Sequence, residues 1–102
     1  MAKKYELISD LYEQISIEVT RDPQTWRLFL KTACRNYKLR FDEQLLLFAQ
    51  RPDAIAVLEI ERWNTAFGRW VNRGAKGIAV FEDSTGKSQR LKYYFDIEDT
   101  HG

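Results

Sequence analysis

The chain has little of what small catalytic or disulfide-bonded domains depend on: one cysteine, one histidine and two prolines in 102 residues. A lone Cys34 permits no intrachain disulfide and no cysteine-rich zinc site. His101 stands one residue from the end and far from Cys34, so neither a three-ligand metal centre nor a Ser–His or Cys–His nucleophile pair is available. Walker-type and dinucleotide-binding glycine patterns are missing. No apolar run approaches the roughly 20 residues of a membrane span, and the start, Met1-Ala2-Lys3-Lys4, opens no secretory signal. These absences predict one cytoplasmic domain over residues 1–102, with no metal, no cofactor, no membrane partner and no catalysis of its own.

Aromatic residues, at 14%, suit a core of this size, because each ring buries a large area. The net charge of +1 conceals segregation. Residues 21–40 carry six cations against Asp22 alone, and residues 62–81 carry four with no acid, whereas residues 41–61 carry five acids against Arg51. Basic and acidic blocks alternate along the chain, which predicts a dipolar folded molecule.

The first half has helical periodicity. Leu7, Ile8, Leu11, Tyr12 and Ile15 form one stripe of a helix from Tyr5 to about Glu18. Asp22-Pro23 starts a second helix, with Asp as N-cap and Pro at the first helical position. Its apolar stripe, Trp26, Phe29, Leu30, Ala33, Cys34 and Tyr37, makes Cys34 a buried, inert thiol. Asp42 is placed to cap a third helix, Glu43 to Arg51, whose Leu45–Ala49 run is apolar all round and therefore buried on most sides. After a short apolar link, Ala54 to Leu58, a fourth helix runs from Glu59 to Phe67 and stops at Gly68. Beyond Gly68 the period falls to two, with Asp83–Lys87 as a hairpin loop. The expected fold is α+β, about four helices followed by a small antiparallel sheet of about three strands.

Three features carry cations. Arg27, Lys31, Arg35 and Lys38 recur at i, i+4, i+8 and i+11 of the second helix, a self-repelling row; compensation by acids from elsewhere is the alternative. The loop Arg73-Gly74-Ala75-Lys76-Gly77 joins glycines to cations, as a phosphate contact needs, and is otherwise a solvated turn. In the last strand Leu91, Tyr93, Phe95 and Ile97 share one parity, while Arg90, Lys92 and Tyr94 share the other. With the apolar parity inward, Tyr93 faces the core and Tyr94 stands outward beside two cations, the equipment of a sequence-tolerant single-strand binder. Alternation leaves open whether Trp70, beside Arg69, is such a ring or a core residue.

Asn36-Tyr37 followed by Phe41-Asp42-Glu43-Gln44-Leu45-Leu46-Leu47-Phe48-Ala49-Gln50-Arg51-Pro52-Asp53-Ala54 resembles a segment of the N-terminal domain of ArdC-type antirestriction proteins. Trp63, then Gly68-Arg69-Trp70-Val71-Asn72-Arg73-Gly74-Ala75-Lys76-Gly77-Ile78-Ala79-Val80-Phe81, is similar to that domain's second signature, and Phe95-Asp96-Ile97 with Thr100 to its close. The resemblance spans about residues 36–100. It implies single-stranded DNA binding by the N-terminal module of a plasmid or conjugative-element protein, a longer polypeptide with helicase, methylase or peptidase domains downstream. No His-Glu-x-x-His occurs, so no peptidase activity is carried over. The expected contacts are Arg69, Arg73 and Lys76 to phosphates, Arg90 and Lys92 along the backbone, Tyr94 and Trp70 for stacking, with Lys38 and Arg40 extending the groove. The rival expectation is a module that docks another domain of the same chain without touching DNA.

Overall fold

The computed structural model describes residues 3–83, 85 and 87–102. Four helices come in order: α1 (Lys3–Arg21), α2 (Pro23–Arg35), α3 (Phe41–Gln50) and α4 (Ile60–Phe67). The strands are β1 (Val57–Leu58), β2 (Trp70–Val71), β3 (Ile78–Phe81), β4 (Leu91–Asp96) and β5 (Thr100–His101), with a 3₁₀ turn at Ile97–Asp99. An antiparallel three-stranded sheet has the order β1-β4-β3, and β2 pairs with β5 in a separate antiparallel ribbon. The α+β class is as the periodicity indicates, except that the first sheet strand, β1, lies within the link read as 54–58. Of the expected hairpin loop, Ser84 and Gly86 lie outside the described residues.

Local chemistry sets most boundaries. The Asp22 side chain accepts from the Gln24 N–H (3.2 Å) and the Thr25 hydroxyl (2.8 Å), capping α2 at Pro23. Gly68 ends α4 in the left-handed region, φ 61°, where a side chain is disfavoured. The third helix starts earlier than expected: Arg40, not Asp42, is its N-cap, and Glu43 reaches back to accept from the Arg40 N–H at 3.0 Å. The second stops earlier, at Arg35. There Asn36 turns the chain: its amide donates to the Thr32 carbonyl (3.0 Å), while its carbonyl accepts from Leu39 N–H and from the Gln44 side chain, each at 3.1 Å.

α3 is the centre of the molecule. Leu46 and Leu47 pack with Ile8 of α1 and with Ile78, Val80 and Tyr94 of the sheet, while Leu45 and Phe48 pack with Ile15, Val19 and Phe29. α3 also closes the free edge of β3. The Gln50 carboxamide donates to the Ala79 carbonyl (2.8 Å) and accepts from the Ala79 N–H (3.0 Å), and Arg40 donates to the Phe81 carbonyl (2.8 Å). Backbone groups that would invite another strand are thereby paired.

Two burial expectations are corrected. On α2 only Phe29 of the apolar stripe is fully buried; Trp26, Leu30, Tyr37 and Cys34 are exposed. The helix packs through a narrower face that includes Thr32, whose hydroxyl donates to the Pro52 carbonyl at 3.0 Å. On β4 the alternation is present with its faces exchanged: Tyr94 is 8% exposed and Tyr93 38%. The Tyr94 hydroxyl donates to Glu43 Oε2 (3.0 Å), and Lys92 Nζ reaches the same oxygen at 3.0 Å. On that face too, Asp96 accepts from the Ile55, Ala56 and Glu98 N–H groups. The polar parity turns inward because its partners are there.

Burial pulls the Lys92 ammonium down, but its bonds to Glu43 and Tyr94 outweigh that and hold it above its ordinary range. Burial and then the Glu43 charge push the Tyr94 phenol up. Both groups rise on folding, so their contribution to stability is complete below about pH 10 and is lost as pH climbs through the shifted values. Urea unfolding should therefore show a flat midpoint from neutral pH to about 9.5 and a decline above about 10 that Tyr94→Phe flattens. Glu43→Gln should cost about 2–4 kcal/mol, below the value for a fully enclosed pair because the Lys92 side chain is 24% exposed. A midpoint unmoved by Glu43→Gln would show that the cluster holds nothing together.

Candidate nucleic-acid interface

The cations divide by what neutralises them. Among the described residues, three pair with carboxylates: Arg40 with Asp42 (3.0 Å) and Glu43 (3.5 Å), Arg51 with Asp99 (2.6 Å) and Asp53 (3.4 Å), and Lys92 with Glu43. Arg40 and Lys92, both expected on a DNA groove, are thus braces around Glu43. Tyr94, expected as a stacking ring, is the third member of that cluster. A phosphate would have to compete with a buried carboxylate for any of them.

The other expected residues keep their charge or exposure. Arg69 donates from Nε to the Thr100 hydroxyl (2.7 Å) and from Nη2 to the Thr100 carbonyl (3.0 Å). These partners are dipoles, not anions, so the guanidinium is held in place with its charge intact. Trp70 is half exposed on β2, opposite His101. Arg73 and Lys76 are exposed on a turn closed by the Ala75 N–H to the Asn72 carbonyl (3.1 Å). Gly74 supplies φ 84° at the third position, as a type II turn requires, which leaves Arg73 at the projecting second position. Arg90 is exposed at the start of the β4 segment, and Lys38 is exposed beyond α2.

Lys38 and Arg69 come together across a groove of about 400 Å³ that the sequence did not reveal. Val57, Trp63 and Ile97 contribute apolar lining, and Arg35 joins the two other cations. Arg35 donates to the Ala54 and Pro52 carbonyls (3.1 and 3.0 Å), so it too is positioned without being neutralised. Tyr37 and Phe67, 71% and 60% exposed, supply two rings. No acidic residue lines the groove among the described residues. Three uncompensated cations, two exposed rings and an apolar lining match the chemistry of an unpaired nucleotide strand, anionic along its backbone and flat and apolar on its base faces.

Tyr37 belongs to the apolar stripe expected of the second helix, and Phe67 is the last residue of the fourth, so neither stands out in the sequence as a surface ring. The signal that could have separated Tyr37 was Asn36, a poor helix former inside the supposed stripe, whose buried turn ejects the next residue. A second cleft, of about 470 Å³, lies beside Lys76, Lys4 and Tyr93, with Lys4 Nζ 5.5 Å from the Tyr93 ring centroid. Tyr93 is thus the exposed ring of the β4 ribbon in place of Tyr94. Gly77 permits its position, since a Cβ there would lie 3.1 Å from Tyr93.

The division has a direct test in stability. Arg51→Ala removes the partner of Asp99 and should cost about 1–2 kcal/mol, whereas Lys38→Ala, Arg73→Ala and Lys76→Ala should each stay within about 0.5 kcal/mol. Equal losses at all four positions, measured by urea denaturation, would contradict the division. No family model matches the chain, and no curated protein and no solved structure shows a significant match to it.

Proposed function

We propose that this chain is a single-stranded DNA-binding module with little sequence preference. The observation that carries the reading is the groove between α2, α4 and β1, where exposed Tyr37 and Phe67 stand beside Arg35, Lys38 and Arg69, with no carboxylate among the described residues to neutralise them. Stacking on a ring needs an unpaired base face and is indifferent to which base it is. The Asn36 amide, a polar side chain that could read a base edge there, is spent on the Thr32 carbonyl. Arg73, Lys76 and Arg90 serve as further phosphate contacts. The resemblance of residues 36–100 to the ArdC-type N-terminal domain points the same way, and with it to a module acting beside helicase, methylase or peptidase domains.

Fluorescence anisotropy with oligo-dT and with a duplex of equal length tests the reading. With about four of these six cations on phosphates at one time, log K against log salt should slope near −3, from roughly −0.7 per phosphate on single strands. Phe67→Ala and Tyr37→Ala should each lose about 1–3 kcal/mol of binding, a loss that persists at high salt because stacking releases no counterions. Failure to bind oligo-dT at low salt, or a preference for the duplex, overturns the proposal. The rival reading, a docking module for another domain, draws on Trp26 and Leu30, 40% and 42% exposed one turn apart on α2. It predicts no oligonucleotide binding at all.

A further inference from the structure

We infer that the bound strand follows α2, its phosphates on Arg27, Lys31, Arg35 and Lys38, with bases lodged in two clefts that share Arg35. This rests on the single-strand reading above and adds a path to it. Arg27, Lys31 and Arg35 stand at i, i+4 and i+8, within about 80° of one another around the helix at 3.6 residues per turn. All three are exposed, and Lys38 continues the row past the Asn36 turn. None of the four pairs with a carboxylate among the described residues, although like charges at this spacing repel. A row that folding leaves uncompensated is relieved by an external polyanion.

The row has a cleft on its course as well as at its end. Lys31 and Arg35 border a depression of about 340 Å³ with Leu28, Phe48 and Pro52 as apolar lining and no acid among its lining residues. Arg35 also borders the larger groove of Tyr37 and Phe67. Its bonds to the Pro52 and Ala54 carbonyls fix it between the two. A strand with a phosphate on Arg35 therefore has an apolar recess on either side for the flanking bases. From Arg27 to Arg35 the helix advances about 12 Å at about 1.5 Å per residue, the length of roughly four nucleotides at the stacked spacing of about 3.4 Å. Neutral or basic partners gain nothing from this row, an acidic polypeptide brings charge but no flat bases for the recesses, and a rigid duplex cannot place its paired bases there.

Anisotropy titrations of the whole chain with oligo-dT of 2 to 12 nucleotides, at three salt concentrations, test the path. Affinity should climb steeply to about five nucleotides, the length of the row with its terminal groove, and slowly thereafter. Arg27→Ala with Lys31→Ala should reduce the magnitude of the salt slope by about 1.4, at about 0.7 per lost phosphate contact on single strands, and Lys31→Glu should weaken low-salt binding by tenfold or more. The Gln versions of both positions, with far-ultraviolet circular dichroism, distinguish lost binding from lost helix. If the Ala pair leaves affinity and slope unchanged while Phe67→Ala weakens binding, the chain binds single strands by another path and the α2 inference falls alone. If the wild-type chain binds no oligo-dT, both readings fall. If polyglutamate of matched charge competes as well as oligo-dT, the row is a general anion surface and the two base clefts are wrong.

Discussion

A single buried carboxylate organises this domain. Glu43, 3% exposed, gathers the Tyr94 hydroxyl, the Lys92 ammonium and the Arg40 guanidinium on Oε2 and the Arg40 N–H on Oε1. An anion so enclosed is tolerable only when its lone pairs are met by donors and its charge by cations. That requirement pulls together the start of α3, the middle of β4 and the turn after α2. It also decides which face of β4 is inner, since Lys92 and Tyr94 must point at Glu43 and Tyr93 between them must then point away.

The surface follows from that choice. Turning Lys92 inward removes a cation from the β4 ribbon, and exposing Tyr93 puts a different ring there. Arg40 and Arg51 are likewise withdrawn by nearby acids. Positive charge is left on α2, on the Arg73–Lys76 turn and on Arg69, where the partners are carbonyls, hydroxyls or water. Internal bookkeeping of charge thus separates cations that hold the fold from cations open to a ligand, and the second group gathers where two exposed rings flank an apolar groove.

Small size gives those rings their freedom. A domain of 102 residues has too little interior to enclose its 14 aromatic and many aliphatic side chains. The α3-centred core takes Phe29, Phe48 and Tyr94, Trp63 is buried apart from it, and Tyr37, Phe67 and Trp70 are left outside. Trp63 stays buried because its indole N–H finds the Phe95 carbonyl at 2.8 Å; Phe67 packs against it in a tilted arrangement at the groove wall, with ring centroids 5.7 Å apart. Apolar surface of this kind is costly to leave in water.

The sequence alone determined what depends on neighbouring residues. Asp22-Pro23 starts α2, Gly68 ends α4, Gly74 makes its turn, and the two-residue alternation in Leu91–Asp96 marks β4, because caps, positive φ and strand parity are steric and local. The all-round apolar run Leu45–Phe48 likewise announced a buried helix. Tertiary structure alone decided which parity of β4 is inner, since Glu43 lies 51 residues from Tyr94. It set the end of α2 through Gln44 and Leu39 closing on Asn36, and the strand Val57–Leu58 through pairing with Asp96 and Phe95. It also decided which cations keep their charge. A hydropathy pattern assigns the apolar face inward by default, and that default fails where a distant carboxylate makes the polar face the better buried one.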